Sequence, residues 1–409
     1  MSIILLMNKS LYLSLVFLLL LGRTCHSQRP GGHQVPRPDA TTEPLITGAE
    51  RLGEYLPMLA GKGVALIANP TSICGNRHLV DTLKALGVDL KVVFAPEHGF
   101  RGEAEAGEKV IGGVDRLTGI RVVSLYGNNK KPSSGDLKGC EVVLFDIQDV
   151  GARFYTYIST LELVMEACAE NGVRLIVLDR PNPNGHVVDG PVLDTAYRSF
   201  VGMQPIPILH GLSMGEYAQM LNGEAWLKNG LKCDLSVVKM SGWRHADDYV
   251  LPVPPSPNLP NQASVRLYAS LCLFEGTMVS LGRGTLLPFQ CYGYPGNPNG
   301  SFSFTPVSIP GKAKNPPQEG KLCSGERLDS IASARRPSGL ELKWIISTWK
   351  NCPDSLRSTF FTSFFEKLAG NATLRTQIQE GLSEEEIRTS WQPGIVAFQS
   401  VRRKYLLYP

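Results

Sequence analysis

The chain has 409 residues, of which 43% are apolar and 19% charged, with a net charge of +4. This composition excludes a disordered or fibrous chain, and the length implies one large domain with a second, smaller one. With so small a charge and no basic block longer than Arg402-Arg403-Lys404, nucleic acid is excluded as a partner.

In chain order, the first feature is an apolar run at residues 11–22, preceded by Lys9 and followed by small and polar residues up to Ser27-Gln28. That is the pattern of a signal peptide over residues 1–27. It is shorter than the roughly 20 residues that span a bilayer, so export to the periplasm or the extracellular space is expected, without a stable membrane span. Cys25 is an alternative lipid attachment point, although Gly22-Arg23-Thr24 before it matches a lipobox poorly. Residues 28–44, rich in Pro, Gly, Gln and Thr and without periodicity, read as a flexible tether. Eight cysteines follow. An even number suits an oxidising compartment, yet no pair has zinc-knuckle spacing, and buried free thiols are the plainer reading for most.

From Leu45 onward, short apolar runs alternate with helical spacing. Val64–Ala68, Leu90–Ala95, Arg121–Leu125, Glu141–Phe145 and Arg174–Leu178 read as buried parallel strands. His78–Leu86 and Thr156–Asn171 read as helices between them, with Gly172 as a stop signal. This alternation predicts an α/β fold with a doubly wound, mostly parallel sheet over residues 45–262. The proline-dense segment Leu251–Pro260 is the expected boundary, because proline lacks the amide donor and constrains its neighbour. A smaller C-terminal α/β or α+β domain over residues 263–409 is expected to complete the cleft. Within it, Tyr294–Gln318 reads as a long surface loop, and Phe360–Leu368, Ala372–Glu380 and Ser383–Ser390 read as helices, the last with a capping box from Ser383 to Glu386.

Ligands of open α/β sheets bind beyond the carboxyl ends of the strands. There the sequence places Asn69, then Glu97-His98 with Arg101, then Gln148, Asp149, Arg153 and Tyr155, and lastly Asp179, Arg180 and Asn182. Such a density of amides, carboxylates, guanidinium groups and aromatics suits the hydroxyl groups of a carbohydrate. Glu97, leaving a buried strand beside Phe94, Pro96 and Phe100, is the candidate general acid, since poor solvation raises a carboxyl pKa, and His98 is placed to tune it. The plainer alternative is an ion pair with Arg101. Asp146, Asp149, Asp179, Glu216 and Glu275 are the candidates for a second carboxyl group, and an N-acetyl sugar is able to supply its own acetamido oxygen instead. Arg153 and Arg180 suit a substrate carboxylate by bidentate geometry or, equally, an internal aspartate. His210 sits at another strand-to-helix junction, and Glu275 and Arg283 mark the most site-like part beyond the prolines.

No metal is expected, because the histidines have no i, i+4 pair, and no cofactor, because neither a phosphate-binding loop nor a dinucleotide fingerprint is present. Gly211-Leu-Ser-Met-Gly215 matches the nucleophile elbow of serine esterases in form, but the chain then runs into the prolines with only His245 between. Ser213 therefore reads better as a helix cap paired with Glu216.

Several of these segments taken together, Ala95–Gly102, Phe145–Tyr155, Leu178–Gly185, Phe274–Thr277 and Lys404–Pro409, resemble the exo-β-N-acetylmuramidase family NamZ from about residue 45 to the C-terminus. The resemblance implies a Rossmann-like catalytic domain with a smaller C-terminal one. It also implies release of N-acetylmuramic acid from the non-reducing ends of peptidoglycan fragments without a nicotinamide, and Glu97 as the catalytic acid with His98 beside it. An arginine for the lactyl carboxylate follows from charge, with Arg101, Arg153 and Arg180 as contenders. A non-catalytic exported sugar-binding protein and a serine esterase using Ser213 are the alternative functions.

Overall fold

The alternating pattern is realised in the computed structural model, which describes residues 43–97, 99–101 and 113–409. The apolar leader, Cys25, most of the tether and His98 lie outside the described residues. In chain order the strands are β1 (Val64–Ala68), a small ribbon of β2 (Ile73–Cys74) and β3 (Arg77–His78), then β4 (Leu90–Ala95), β5 (Gly113–Val114), β6 (Arg121–Ser124), β7 (Val142–Asp146), β8 (Arg174–Leu178) and β9 (Leu235–Val238). The main sheet has the order β5-β6-β4-β1-β7-β8-β9, parallel throughout except for β5 against β6. Counted along the chain, its six parallel strands run 3-2-1-4-5-6, the order of a doubly wound Rossmann-like sheet.

Successive side chains of a strand point to opposite faces, so each central strand feeds two cores. Ala65, Ile67, Val143, Phe145, Leu175 and Val177 join one; Val64, Leu66, Ala68, Val142, Leu144, Ile176 and Leu178 join the other. The second face is covered by α1 (Leu52–Leu59) and α2 (Leu79–Ala85), through Tyr55, Leu79 and Leu83. The first is covered by α3 (Tyr157–Asn171) and α4 (Met214–Gly223). With helices on both faces the strands need no polar side, which is why they read as continuous apolar runs. Gly172 ends α3 in the left-handed conformation at φ 64°, its N–H bonded to the Cys168 carbonyl.

The C-terminal part begins with α5 (Gln262–Leu271) and holds a three-stranded antiparallel sheet of β10 (Cys291–Tyr294), β11 (Phe302–Phe304) and β12 (Cys323–Arg327). Helices Lys343–Lys350, Asp354–Phe360, Phe364–Ala369, Thr373–Glu380 and Glu384–Arg402 follow. Tyr268, Leu273, Phe360, Phe365, Trp391 and Phe398 belong to the same apolar core as α3 and α4. The smaller part is therefore built directly onto one face of the larger.

Three local expectations are corrected. Phe360–Leu368 is not one helix: Asp354–Phe360 ends at an extended Phe361, and a second helix starts at Phe364. Tyr294–Gln318 is not all loop, since Phe302–Phe304 pairs with β12. The last helix does not stop at Ser390 but runs on through Pro393 to Arg402, because Ile387, Trp391, Ile395 and Phe398 bury one continuous face and outweigh a missing backbone bond. The capping box is present: Ser383 N donates to Glu386 Oε2 at 2.8 Å, and Glu386 N donates to Ser383 Oγ at 3.3 Å. The eight cysteines among the described residues are free, all but Cys74 buried. Among the described residues no helix is long and apolar enough to cross a membrane.

Candidate active site

Glu97 stands two residues past β4, on the carboxyl edge of the sheet. It lines a cavity of about 200 Å³ with Phe154, Tyr155, Thr156 and Tyr157 at the start of α3, and with Val201. The opposite wall is Ser256, Asn258 and Leu259 of the proline-dense segment, Tyr268 of α5, and Glu275, Arg283 and Phe289 beyond it. Tyr155 meets Tyr157 and Tyr268 edge to face at 5.0 and 5.6 Å, and Tyr268 meets Phe289 at 5.1 Å. The result is an aromatic wall of the kind that takes the apolar face of a sugar ring.

The proline-dense segment, expected only as a boundary, is thus part of the cavity wall. It makes no regular structure because its prolines have no N–H, and its carbonyls are left to accept from side chains. Tyr155 OH donates to the Pro255 carbonyl at 2.7 Å, while the segment's own Asn258 side chain donates outward through Nδ2 to the Lys312 carbonyl at 2.8 Å.

Burial pushes the Glu97 carboxyl pKa up; the Arg283 charge opposes this, the Glu275 charge adds to it, and hydrogen bonds from Thr156 and Tyr126 favour the ionised form. The net direction is upward, which favours the protonated form relative to a solvated glutamate. Thr156 Oγ1 approaches Glu97 Oε2 at 3.5 Å, long for a hydroxyl bond, and Tyr157 OH donates to the Glu97 carbonyl at 3.3 Å. The alternative partner Arg101 is occupied elsewhere, bonded twice to Asp81 at 2.8 and 3.1 Å and twice to Asp115 at 2.9 and 3.0 Å. Across the cavity, Arg283 Nη1 donates to Glu275 Oε1 at 2.9 Å.

Of the residues that sequence put on the carboxyl edge, Glu97 and Tyr155 line this cavity, joined by Glu275 and Arg283 from beyond the prolines. The other described residues of that set have internal partners. Asn69 Oδ1 accepts from Thr71 N at 2.9 Å. Gln148 Nε2 donates to the carbonyls of Asp149 at 2.8 Å and Pro181 at 2.7 Å, and Asn182 Nδ2 donates to the Leu212 carbonyl at 2.9 Å. Arg180 clamps Asp146 through Nε at 2.6 Å and Nη2 at 2.9 Å. Arg153, fully buried, donates through Nη1 to the carbonyls of Pro191 and Ile206 and through Nη2 to those of Leu368 and Ala369, each at 2.8 Å. Asp149 accepts from Gly151 N at 2.6 Å, and burial raises its pKa to about 7. His210 lies 4.0 Å from it, and burial lowers the imidazole to about 3, so the histidine is neutral at pH 7 and the contact is not an ion pair.

The crest is polar for a reason that sequence does not reveal. The C-terminal part covers these loops, and buried backbone groups without water must be satisfied by side chains. Asp179 shows the same economy: Ser213 Oγ and Tyr408 OH each donate to its Oδ2 at 2.6 Å, and Gly215 N donates to Oδ1 at 2.9 Å. The Lys404–Pro409 ending is thereby stitched to the sheet edge, with Leu407 N on Glu216 Oε1 at 2.8 Å. Ser213 is a buried N-cap in a capping box with Glu216, and its nearest titratable partner is Asp179 rather than a histidine.

Sequence reasoning missed Thr156, Tyr157, Ser256, Asn258, Tyr268 and Phe289. Thr156 and Tyr157 directly follow the Gln148–Tyr155 cluster and were within reach of it. The others had no local signal, although Phe289 stands out in the structure as a bulky residue at φ 55°. Among the described residues, no group of His, Cys, Asp and Glu could hold a metal ion.

Carboxyl groups in an aromatic cleft, at the edge of a doubly wound sheet, are what a glycoside hydrolase requires, and the protein is of that class by its family. Family models described as the N-terminal and C-terminal parts of the exo-β-N-acetylmuramidase NamZ match residues 64–263 and 266–408, and the chain belongs to that family. It is 39% identical over 386 residues to the peptidoglycan β-N-acetylmuramidase NamZ of Bacillus subtilis (strain 168), covering 87% of this chain and 89% of that protein. Crystal structures of two DUF1343 family proteins from Bacteroides fragilis NCTC 9343 share its fold. One has a TM-score of 0.81 at 44% identity, covering 90% of this chain and 99% of that one. The other has a TM-score of 0.75 at 32% identity, covering 91% and 100%.

Proposed function

We propose that this chain is an exo-acting hydrolase that releases N-acetylmuramic acid from the non-reducing ends of peptidoglycan fragments, with Glu97 as general acid. The observation that carries the reading is a carboxyl group desolvated at the mouth of the sheet, with no ion pair of its own among the described residues. A proton held there is available to the bridging oxygen of a glycosidic bond. Family membership supports the substrate class. Glu275 is the other carboxyl group of the cavity among the described residues, and the acetamido oxygen of an N-acetyl sugar is able to act in place of a protein nucleophile.

The test is hydrolysis of a chromogenic β-N-acetylmuraminide. Wild type is expected to release the chromophore, and Glu97→Gln to lose about 10²- to 10⁴-fold in kcat. Saturable binding without turnover by the wild type would make it a sugar-binding protein instead. Division of the chain at residues 262 and 263, and export by the 1–27 leader to the periplasm or the extracellular space, complete the proposal. Mass spectrometry of the mature N-terminus separates cleavage near Ser27 from lipid attachment at Cys25.

A further inference from the structure

We infer that Arg283 is the specificity-determining residue of the cavity, reading a carboxylate carried by the sugar itself, the 3-O-lactyl group that separates a muramic from a glucosamine residue. This deepens the proposed function and rests on it for the identity of the sugar.

Arg153, Arg180 and Arg101 are all held by internal acceptors. Among the described residues lining the cavity, Arg283 alone carries a fixed positive charge. Among the described residues only one of its five N–H donors is committed, to Glu275, and its Nε has no hydrogen-bond partner; the side chain is 29% exposed. A guanidinium so placed has the fork geometry that takes a carboxylate in two parallel bonds.

The loop that carries Arg283 is built to hold it still. Gly282 and Gly284 on either side sit in the left-handed region at φ 69° and 81°, where other residues are strained. A Cβ at Gly282 would collide with the Leu287 carbonyl and Cys291 Sγ, and one at Gly284 with the Val307 carbonyl and Pro316. Thr285 Oγ1 closes the turn by donating to the Gly282 carbonyl at 2.6 Å, and Val307 N donates to the Gly284 carbonyl at 2.9 Å. Glu275 then fixes the guanidinium from one side and leaves the remaining donors for a ligand. A residue that served Glu275 alone would not need a cavity position or donors in excess.

The experiment compares β-N-acetylmuraminide and β-N-acetylglucosaminide substrates on wild type, Arg283→Gln and Arg283→Lys. In parallel, free N-acetylmuramic acid and N-acetylglucosamine are titrated calorimetrically into Glu97→Gln with and without Arg283→Gln. The ratio of kcat/KM between the two substrates is expected to fall about 10- to 100-fold in Arg283→Gln, chiefly through KM, with partial retention in Arg283→Lys. Binding preference for the acidic sugar is expected to collapse in the same variants. Equal losses on both sugars, or an undiminished preference for the acidic one in folded Arg283→Gln, would overturn the inference. Absence of hydrolysis by wild type with the calorimetric preference intact would overturn the proposed function and leave the role of Arg283 standing.

Discussion

Replacing Arg153 with Met tests whether the most deeply buried guanidinium acts on the substrate or on the fold. Its two terminal nitrogens donate to four carbonyls, two of them at the end of the Phe364–Ala369 helix, where the last carbonyls have no partner within the helix. Met nearly fills the space, so the cost is mainly four stranded acceptors, each worth about 1 kcal/mol at the low end. Against that, the variant no longer carries a buried charge without a carboxylate, whose desolvation costs several kcal/mol before its hydrogen bonds are counted. The expected net loss is about 2–4 kcal/mol. At an unfolding entropy of about 2.1 cal/mol/K per residue, this lowers Tm by about 2–5 °C for a chain of 409 residues. Thermal and urea unfolding at pH 7 measure the loss, and kinetics on the folded fraction are expected to keep the wild-type KM for the acidic sugar. An unchanged Tm together with a tenfold rise in that KM would refute the reasoning and return Arg153 to the substrate.

Stability is expected to fall with rising pH. Burial holds Asp149 and Glu162 up at about 7 and Asp179 up at about 6, so the folded chain binds these protons more tightly than the unfolded chain. Their contribution is complete below about pH 4 and is lost as pH rises through about 6 to 7; His210, lowered by burial to about 3, opposes them below the free imidazole value of about 6.5, and three carboxyl groups against it leave Tm at pH 5 above Tm at pH 8. A flat or rising profile, measured in one buffer series at constant ionic strength, would contradict these burial effects. Ser213→Ala removes an N-cap and a donor to Asp179, and should cost about 1–3 kcal/mol while the folded enzyme keeps its kcat. Loss of activity without loss of stability would instead restore the serine esterase.

The parallel strands were legible because burial on both faces leaves a run of apolar residues that no surface strand shows. Val64–Ala68, Leu90–Ala95 and Arg174–Leu178 are found with the ends read from the sequence. Leu235–Val238, at the sheet edge and only partly buried, carried too weak a pattern to be found. The antiparallel strands of the C-terminal part were missed because they are three to five residues long and set among glycines and prolines. Glu97 was legible for the same reason as the strands, since its place follows from the end of β4. Tyr268 was not, because a tyrosine at helical spacing reads as core whether or not one edge of it faces a cavity.

By itself the sequence determined the local states: which runs must be buried, where helices start and stop, and which residues leave the strand ends. Only the tertiary structure decided what those polar residues face. Partners for Arg153, Asp179 and Gln148 come from segments up to 229 residues away, and hydrogen bonds over such separations leave no trace in spacing or periodicity. A buried loop and a sugar make the same demand for donors and acceptors, and the two are distinguished only by what the fold brings against them.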